Sequence, residues 1–142
     1  MTTPINLTIE QLRKCHPLNA GRFAEILGAP LVPGAANAHW LFFTFELEQG
    51  DFAGGELRLS VTGERALLNL KPRNPPGLKS SDIDLLDLGQ RRGFKPNPDI
   101  PPEGADTEYF NKGGVEIGLQ WTHTSRQLRS VVLKWEPSQP NE

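Results

Sequence analysis

The sequence predicts an α+β fold: about six mostly antiparallel strands, with two or three helices packed on one face. Three observations point there. Segments of strict apolar–polar alternation recur along the chain, short turn signals separate them, and helical spacing is confined to a few places. Composition agrees, since 14 Gly and 13 Pro among 142 residues suit a turn-rich fold better than a helical bundle. A chain of this length is expected to form a single domain, residues 1–142, with its own core.

Each element follows from local chemistry. Thr8 and Gln11 in TIEQ match a capping box, which predicts a helix that Pro17 ends. In PLNAGRFAEILGAP, Asn19 can cap, Leu18 and Phe23 sit at staple positions, and Gly28 and Pro30 supply the stop. HWLFFTFELEQ (39–49) then alternates, with Leu41, Phe43, Phe45 and Leu47 on one side and Trp40, Phe42, Thr44 and Glu46 on the other. GGELRLSVT (54–62) turns Leu57, Leu59 and Val61 inward, and RALLNLK (65–71) returns with Leu68 and Leu70 inward. SSDIDLLDLGQRRG (80–93) reads as a third helix, capped by Ser81 and stopped by Gly93. FKPNPDIPPEGA (94–105) reads as an irregular loop, because its four prolines forbid a helix or central strand. DTEYFNK, GGVEIGLQWT and QLRSVVLKWE are three further strands. The second buries Val115, Ile117, Leu119 and Trp121, and the third Val131, Leu133 and Trp135. Residues 138–142 read as a disordered tail.

The strands carry an internal likeness. Glu56 aligns with Glu116, Leu57 with Ile117, Leu59 with Leu119, and Leu68 with Leu133. Two readings stay open: a tandem α-β-β-β duplication with halves 19–72 and 80–137, or amphipathic strand pairs that alternation alone makes alike.

Charge and motifs narrow the chemistry. A net charge of −2 gives no electrostatic reason to bind nucleic acid or anionic lipid, so neither is expected as a partner. The N-terminus lacks the basic start and apolar stretch of a secretion signal, and a cytoplasmic location is expected. Cys15 is the single cysteine and reads as a structural thiol. His16, His39 and His123 match no metal-ligand spacing, so no metal or cofactor is expected. Paired carboxylates can be nominated, Glu46 with Glu56 or Glu116, but outward strand positions are ordinarily solvated. The Gly-Gly pairs at 54–55 and 113–114 read as hairpin turns rather than phosphate cradles. Lys71, Arg73, Lys79, Arg91, Arg92 and Lys95 read as helix-end or loop cations.

What remains suits a partner surface. The proline-stiffened loop and its flanks offer Phe94, Ile100 and Tyr109 as anchors among Arg91, Arg92, Asp99 and Glu103. Trp40 and Phe42 are bulky for a polar strand face; they lie under proline-rich loops or form an exposed patch. The order helix, three strands, helix, strands in a small acidic chain resembles secretion chaperones that bind effector proteins. Those end in a helix, whereas this chain ends in a strand and a polar tail. The leading expectation is a non-catalytic protein-binding domain of the bacterial immunity type, which neutralises a toxin or effector by covering it. The alternatives are an effector-binding chaperone, a small enzyme or ligand binder with a pocket between helices and sheet, and a subunit that pairs through the edge of QLRSVVLKWE.

Overall fold

A computed structural model of the chain describes residues 4–15, 18–73, 90–95, 105–112, 114–122 and 127–136. Among the described residues two helices, α1 (Pro4–Arg13) and α2 (Ala20–Leu27), precede eight strands. The strands are β1 (Val32–Pro33), β2 (Trp40–Glu46), β3 (Phe52–Ser60), β4 (Ala66–Pro72), β5 (Gln90–Lys95), β6 (Ala105–Lys112), β7 (Val115–Thr122) and β8 (Leu128–Trp135). All pair antiparallel in one sheet of order β1-β2-β3-β4-β8-β7-β6-β5. Two four-strand meanders therefore meet through their last strands. β1 is only a two-residue pair, so seven strands of ordinary length carry the sheet.

The α1 start differs from expectation. The helix begins at Pro4, whose missing N–H costs nothing in a first turn and whose fixed φ suits it. Thr8 thus lies mid-helix, and the capping-box match was a coincidence of spacing. The helix ends at Arg13; Pro17, expected to end it, lies outside the described residues. α2 follows its signals. Asn19 accepts the Arg22 backbone N–H at 2.8 Å, and Gly28 closes the helix in the left-handed region at φ 71°.

Alternation along the strands builds one apolar face. Its middle row reads Phe43, Leu57, Leu68, Leu133, Ile117, Phe110 across six strands. The flanking rows carry Leu59, Ala66, Trp135 and Val115 on one side and Phe45, Leu70, Val131 and Leu119 on the other. Both helices cover this face through Ile9, Leu12 and Phe23. Phe23 meets Trp135 edge-on at 5.3 Å between ring centroids, and Trp135 Nε1 donates to the Arg13 carbonyl at 3.4 Å. Cys15 is buried here, and desolvation pushes its thiol up to about 11 against the opposing charge of Arg22.

The register is symmetric about its centre. Leu68 pairs with Leu133, and Ala66↔Trp135 is matched by Leu70↔Val131. Moving outward, Leu57 pairs with Leu68 as Ile117 pairs with Leu133, and Phe43 pairs with Leu57 as Phe110 with Ile117. Positions aligned in sequence thus occupy equivalent places in the two halves of the sheet.

Several expectations are corrected. Residues 90–93, read as the end of a helix, lie in β5, where the ladder to β6 overrides the local helical signal; residues 80–89 lie outside the described set. Phe94 and Lys95 belong to β5 and Ala105 to β6, so both ends of the stretch read as an irregular loop lie in strands; residues 96–104 lie outside the described set. Gly54 and Gly55 are not a turn. They lie inside β3, beside a bulge that returns Phe52 to the apolar face. A Cβ on Gly55 would stand 1.9 Å from the Asn69 carbonyl oxygen, so the glycine serves close backbone approach. Gly114 does occupy a turn, at φ 82°, and Gly113 lies outside the described residues. Val61, expected inward, is 52% exposed because the chain has already turned after Ser60. β8 is a central strand paired on both sides, so the segment nominated for edge pairing presents no free edge. No helix among the described residues is long and apolar enough to cross a membrane.

Candidate functional site

Among the described residues, the face of the sheet opposite α1 and α2 is left open. Two rows cross it. One reads Phe42, Arg58, Leu67, Lys134, Glu116, Asn111, and the other Thr44, Glu56, Asn69, Val132, Gly118, Tyr109. Period-two alternation sends these side chains away from the core. Phe42, Leu67, Val132 and Tyr109 are half-buried, while Glu56, Arg58 and Lys134 are exposed. No described element packs over the rows.

Each half of this face has its own local chemistry. In the first, the Arg58 guanidinium carbon lies 5.4 Å from the Phe42 ring centroid, a cation–π contact. That contact, with the approach of Gly34 to Phe42, explains the bulky aromatic: it is neither bare nor wholly under a loop. In the second half Gly118 pairs with Tyr109, and a cavity of about 270 Å³ opens above it. Thr107, Tyr109, Glu116, Gln120, Val132 and Lys134 line it. Ser130 Oγ donates to Gln120 Oε1 at 2.7 Å, leaving the Gln120 NH₂ as a donor. Lys134 pairs with Glu136 at 3.2 Å, whereas the Glu116 side chain has no hydrogen bond or ion pair among the described residues. Near the centre of the face, Asn69 Oδ1 is buried without a hydrogen-bond partner.

The other nominated groups fall elsewhere. Glu46 and Glu56 share a recess of about 600 Å³ with Glu48 and Lys71, and Glu116 belongs to the opposite half. Two cavities lie where the helices meet the sheet: one of about 160 Å³, lined by apolar residues such as Leu12, Ile26 and Leu70 together with Thr8, Gln11 and Asp51, and one of about 490 Å³ between the α2 end at Leu27 and Gly28 and the β2 end at Glu46 and Leu47. Small-molecule sites usually begin near ~300 Å³, a size only the second reaches. Arg73, read as a solubilising cation, is a structural clamp. It donates to the carbonyls of Leu47 at 2.6 Å, Gly50 at 3.2 Å and Phe52 at 3.3 Å. His39 is exposed in the bend before β2; His16 and His123 lie outside the described residues. Among the described residues no three His, Cys, Asp or Glu side chains gather as metal ligands.

Of the partner-binding candidates, Tyr109 lies on the open face beside Gly118. Arg91, Arg92 and Phe94 fall on β5, the strand next to β6 at the sheet edge. Asp99, Ile100 and Glu103 lie outside the described residues. Sequence reasoning missed Glu116, Gly118 and Arg58 as a set. Their signal was present in the alignment of the two strand sets, which puts Arg58 in one where the other has Gly118.

Fold and face together define an α+β protein: one broad antiparallel sheet, helices on one side and a mixed apolar and charged surface on the other. No protein family, curated protein or solved structure matches the chain.

Proposed function

We propose that the chain is a protein-binding domain that engages its partner through the face of the sheet opposite α1 and α2. One observation carries this reading: half-buried Phe42, Leu67, Val132 and Tyr109 share one face of the sheet with exposed Glu56, Arg58 and Lys134, and no described element covers them. Apolar anchors set among charges are the pattern of recognition surfaces, where burial supplies affinity and charge supplies specificity and on-rate. The sheet is a rigid platform, so little conformational entropy is lost on docking. The particular version we favour is an immunity-type inhibitor that neutralises a toxin or effector by covering it. We read the two halves of the sheet as copies of one α-β-β-β unit, supported by the symmetric register about Leu68 and Leu133.

The test places a photo-crosslinking residue at Leu67, on the open face, and separately at Glu25, on the outer side of α2. A stoichiometric partner trapped from Leu67 and not from Glu25 is expected. Reversing Arg58 and Lys134 to glutamate should slow association while leaving the circular dichroism spectrum intact. A partner trapped equally from Glu25, or indifferent to both reversals, overturns the assigned face. The inhibitor version is checked by co-expression with the product of the adjacent reading frame, where restored growth is expected.

A further inference from the structure

The two halves of the open face differ at one position in an informative way. Arg58 pairs with Phe42 on one side and Leu67 on the other; Gly118 pairs likewise with Tyr109 and Val132. Two residues away on the same strands stand Glu56 and Ser60, matched by Glu116 and Gln120. An aromatic ring, a carboxylate and a branched aliphatic side chain are thus kept in both halves. The guanidinium is kept in only one.

From this we infer that the notch over Gly118 receives an arginine side chain carried by the protein partner. The inference rests on reading the open face as a binding surface. The first half displays the filled form, with the Arg58 guanidinium stacked 5.4 Å from the Phe42 centroid. The second half offers the same ring position in Tyr109 and a cavity of about 270 Å³ where the arginine would lie. Its chemistry is complementary to a planar cation. Glu116 has no ion pair among the described residues, and Tyr109 presents a π face; a guanidinium can engage both at once, whereas an ammonium is a point charge. Lys134, which also lines the cavity and stands opposite Glu116 in the ladder, pairs with Glu136 at 3.2 Å, which offsets its repulsion of a second cation.

The backbone does not require glycine here. Gly118 is outside the left-handed region, and a Cβ built on it would sit 3.6 Å from the Tyr109 ring and 3.9 Å from the Val132 carbonyl oxygen, both ordinary contacts. Glycine inside a strand weakens it, and where no turn or bulge demands it, the space it leaves is its contribution.

The test is a two-dimensional amide NMR titration with Nα-acetyl-arginine methylamide, and with the citrulline analogue as its neutral isostere. Saturable shifts at Gly118 and the Tyr109 ring, in the ~10 mM range for one isolated side chain, are expected from arginine and not from citrulline. Glu116→Gln should weaken binding at least tenfold. Gly118→Arg should fill the notch from within and abolish the response; should that variant fail to fold, Glu116→Gln carries the test. Absence of saturable shifts, or equal shifts from citrulline, overturns the inference. Free L-arginine binding more tightly than the capped form makes this a small-molecule site and equally overturns it. A partner crosslinked from Leu67 with no arginine response leaves the binding face standing and removes only the arginine notch.

Discussion

Leu68 on β4 faces Leu133 on β8 at the centre of the sheet, and both side chains are fully buried. The pairings around it are laid out symmetrically, from Phe43↔Leu57↔Leu68 on one side to Leu133↔Ile117↔Phe110 on the other, so the two leucines join the meanders. Truncating either to alanine removes about the same buried surface in an equivalent place. Leu68→Ala and Leu133→Ala should each destabilise the fold by about 2–5 kcal/mol in urea unfolding, with similar values. Because the two side chains are neighbours, the double variant should depart from additivity by about 0.5 kcal/mol or more. Strict additivity would mean that the halves do not share a core at this point.

Arg73 holds the β2–β3 turn by three carbonyls, and its own backbone N–H donates to the Asp51 carbonyl at 2.9 Å. A guanidinium spreads five donors over a planar fork and reaches separated acceptors at once, whereas the three donors of an ammonium radiate from a single nitrogen. Arg73→Ala should cost about 1.5–3 kcal/mol, the range for hydrogen bonds to a charged group. Arg73→Lys should recover little of it. The local readout is faster amide exchange at Leu47, whose N–H donates to the Ala53 carbonyl.

Glu10 ties α1 to β6. It is bonded by Arg13, lies 3.4 Å from Lys112 Nζ and 3.6 Å from Lys14 Nζ, and its carboxyl is lowered from 4.5 to about 2, chiefly by the Arg13 hydrogen bond. A carboxyl depressed in the fold contributes stability that is present above its unfolded value and lost as pH falls through its folded one. Glu10→Gln should therefore be less stable than the parent by about 1 kcal/mol at pH 6. The difference should shrink between pH 4.5 and about 2 and vanish below. A gap that persists unchanged at pH 2 would assign the effect to packing instead.

Much of this fold is legible in the residues, and the exceptions have physical causes. β4, β7 and β8 follow from alternation because each is flanked on both sides, so Leu68, Leu70, Ile117, Leu119, Val131 and Leu133 have no choice of face. α2 follows from Asn19 and Gly28, whose capping is local chemistry. β5 escapes sequence reasoning because its identity comes from a ladder to β6, a partner that no short window contains. The Gly54–Gly55 pair misleads for a similar reason: glycine marks a turn or a close approach, and only the neighbouring Asn69 backbone tells which. The open face was hardest to see. Its polar residues read as solvated surface until the register set Arg58 and Gly118 in equivalent places.

Gly55 and Gly118 should respond oppositely to the same substitution. At Gly55 an added Cβ meets the Asn69 carbonyl oxygen at 1.9 Å and the Phe45 ring at 3.1 Å, so the β3–β4 ladder must part. Gly55→Ala should cost about 1–3 kcal/mol or more, as overpacking does. At Gly118 the nearest atom is 3.6 Å away, and alanine relieves the entropic cost of glycine in a strand. Gly118→Ala should be neutral or stabilising by about 0.4–1 kcal/mol in the same unfolding measurement. If Gly118→Ala instead destabilised the fold as Gly55→Ala does, its glycine would be structural, and the empty space above it would need no ligand to explain it.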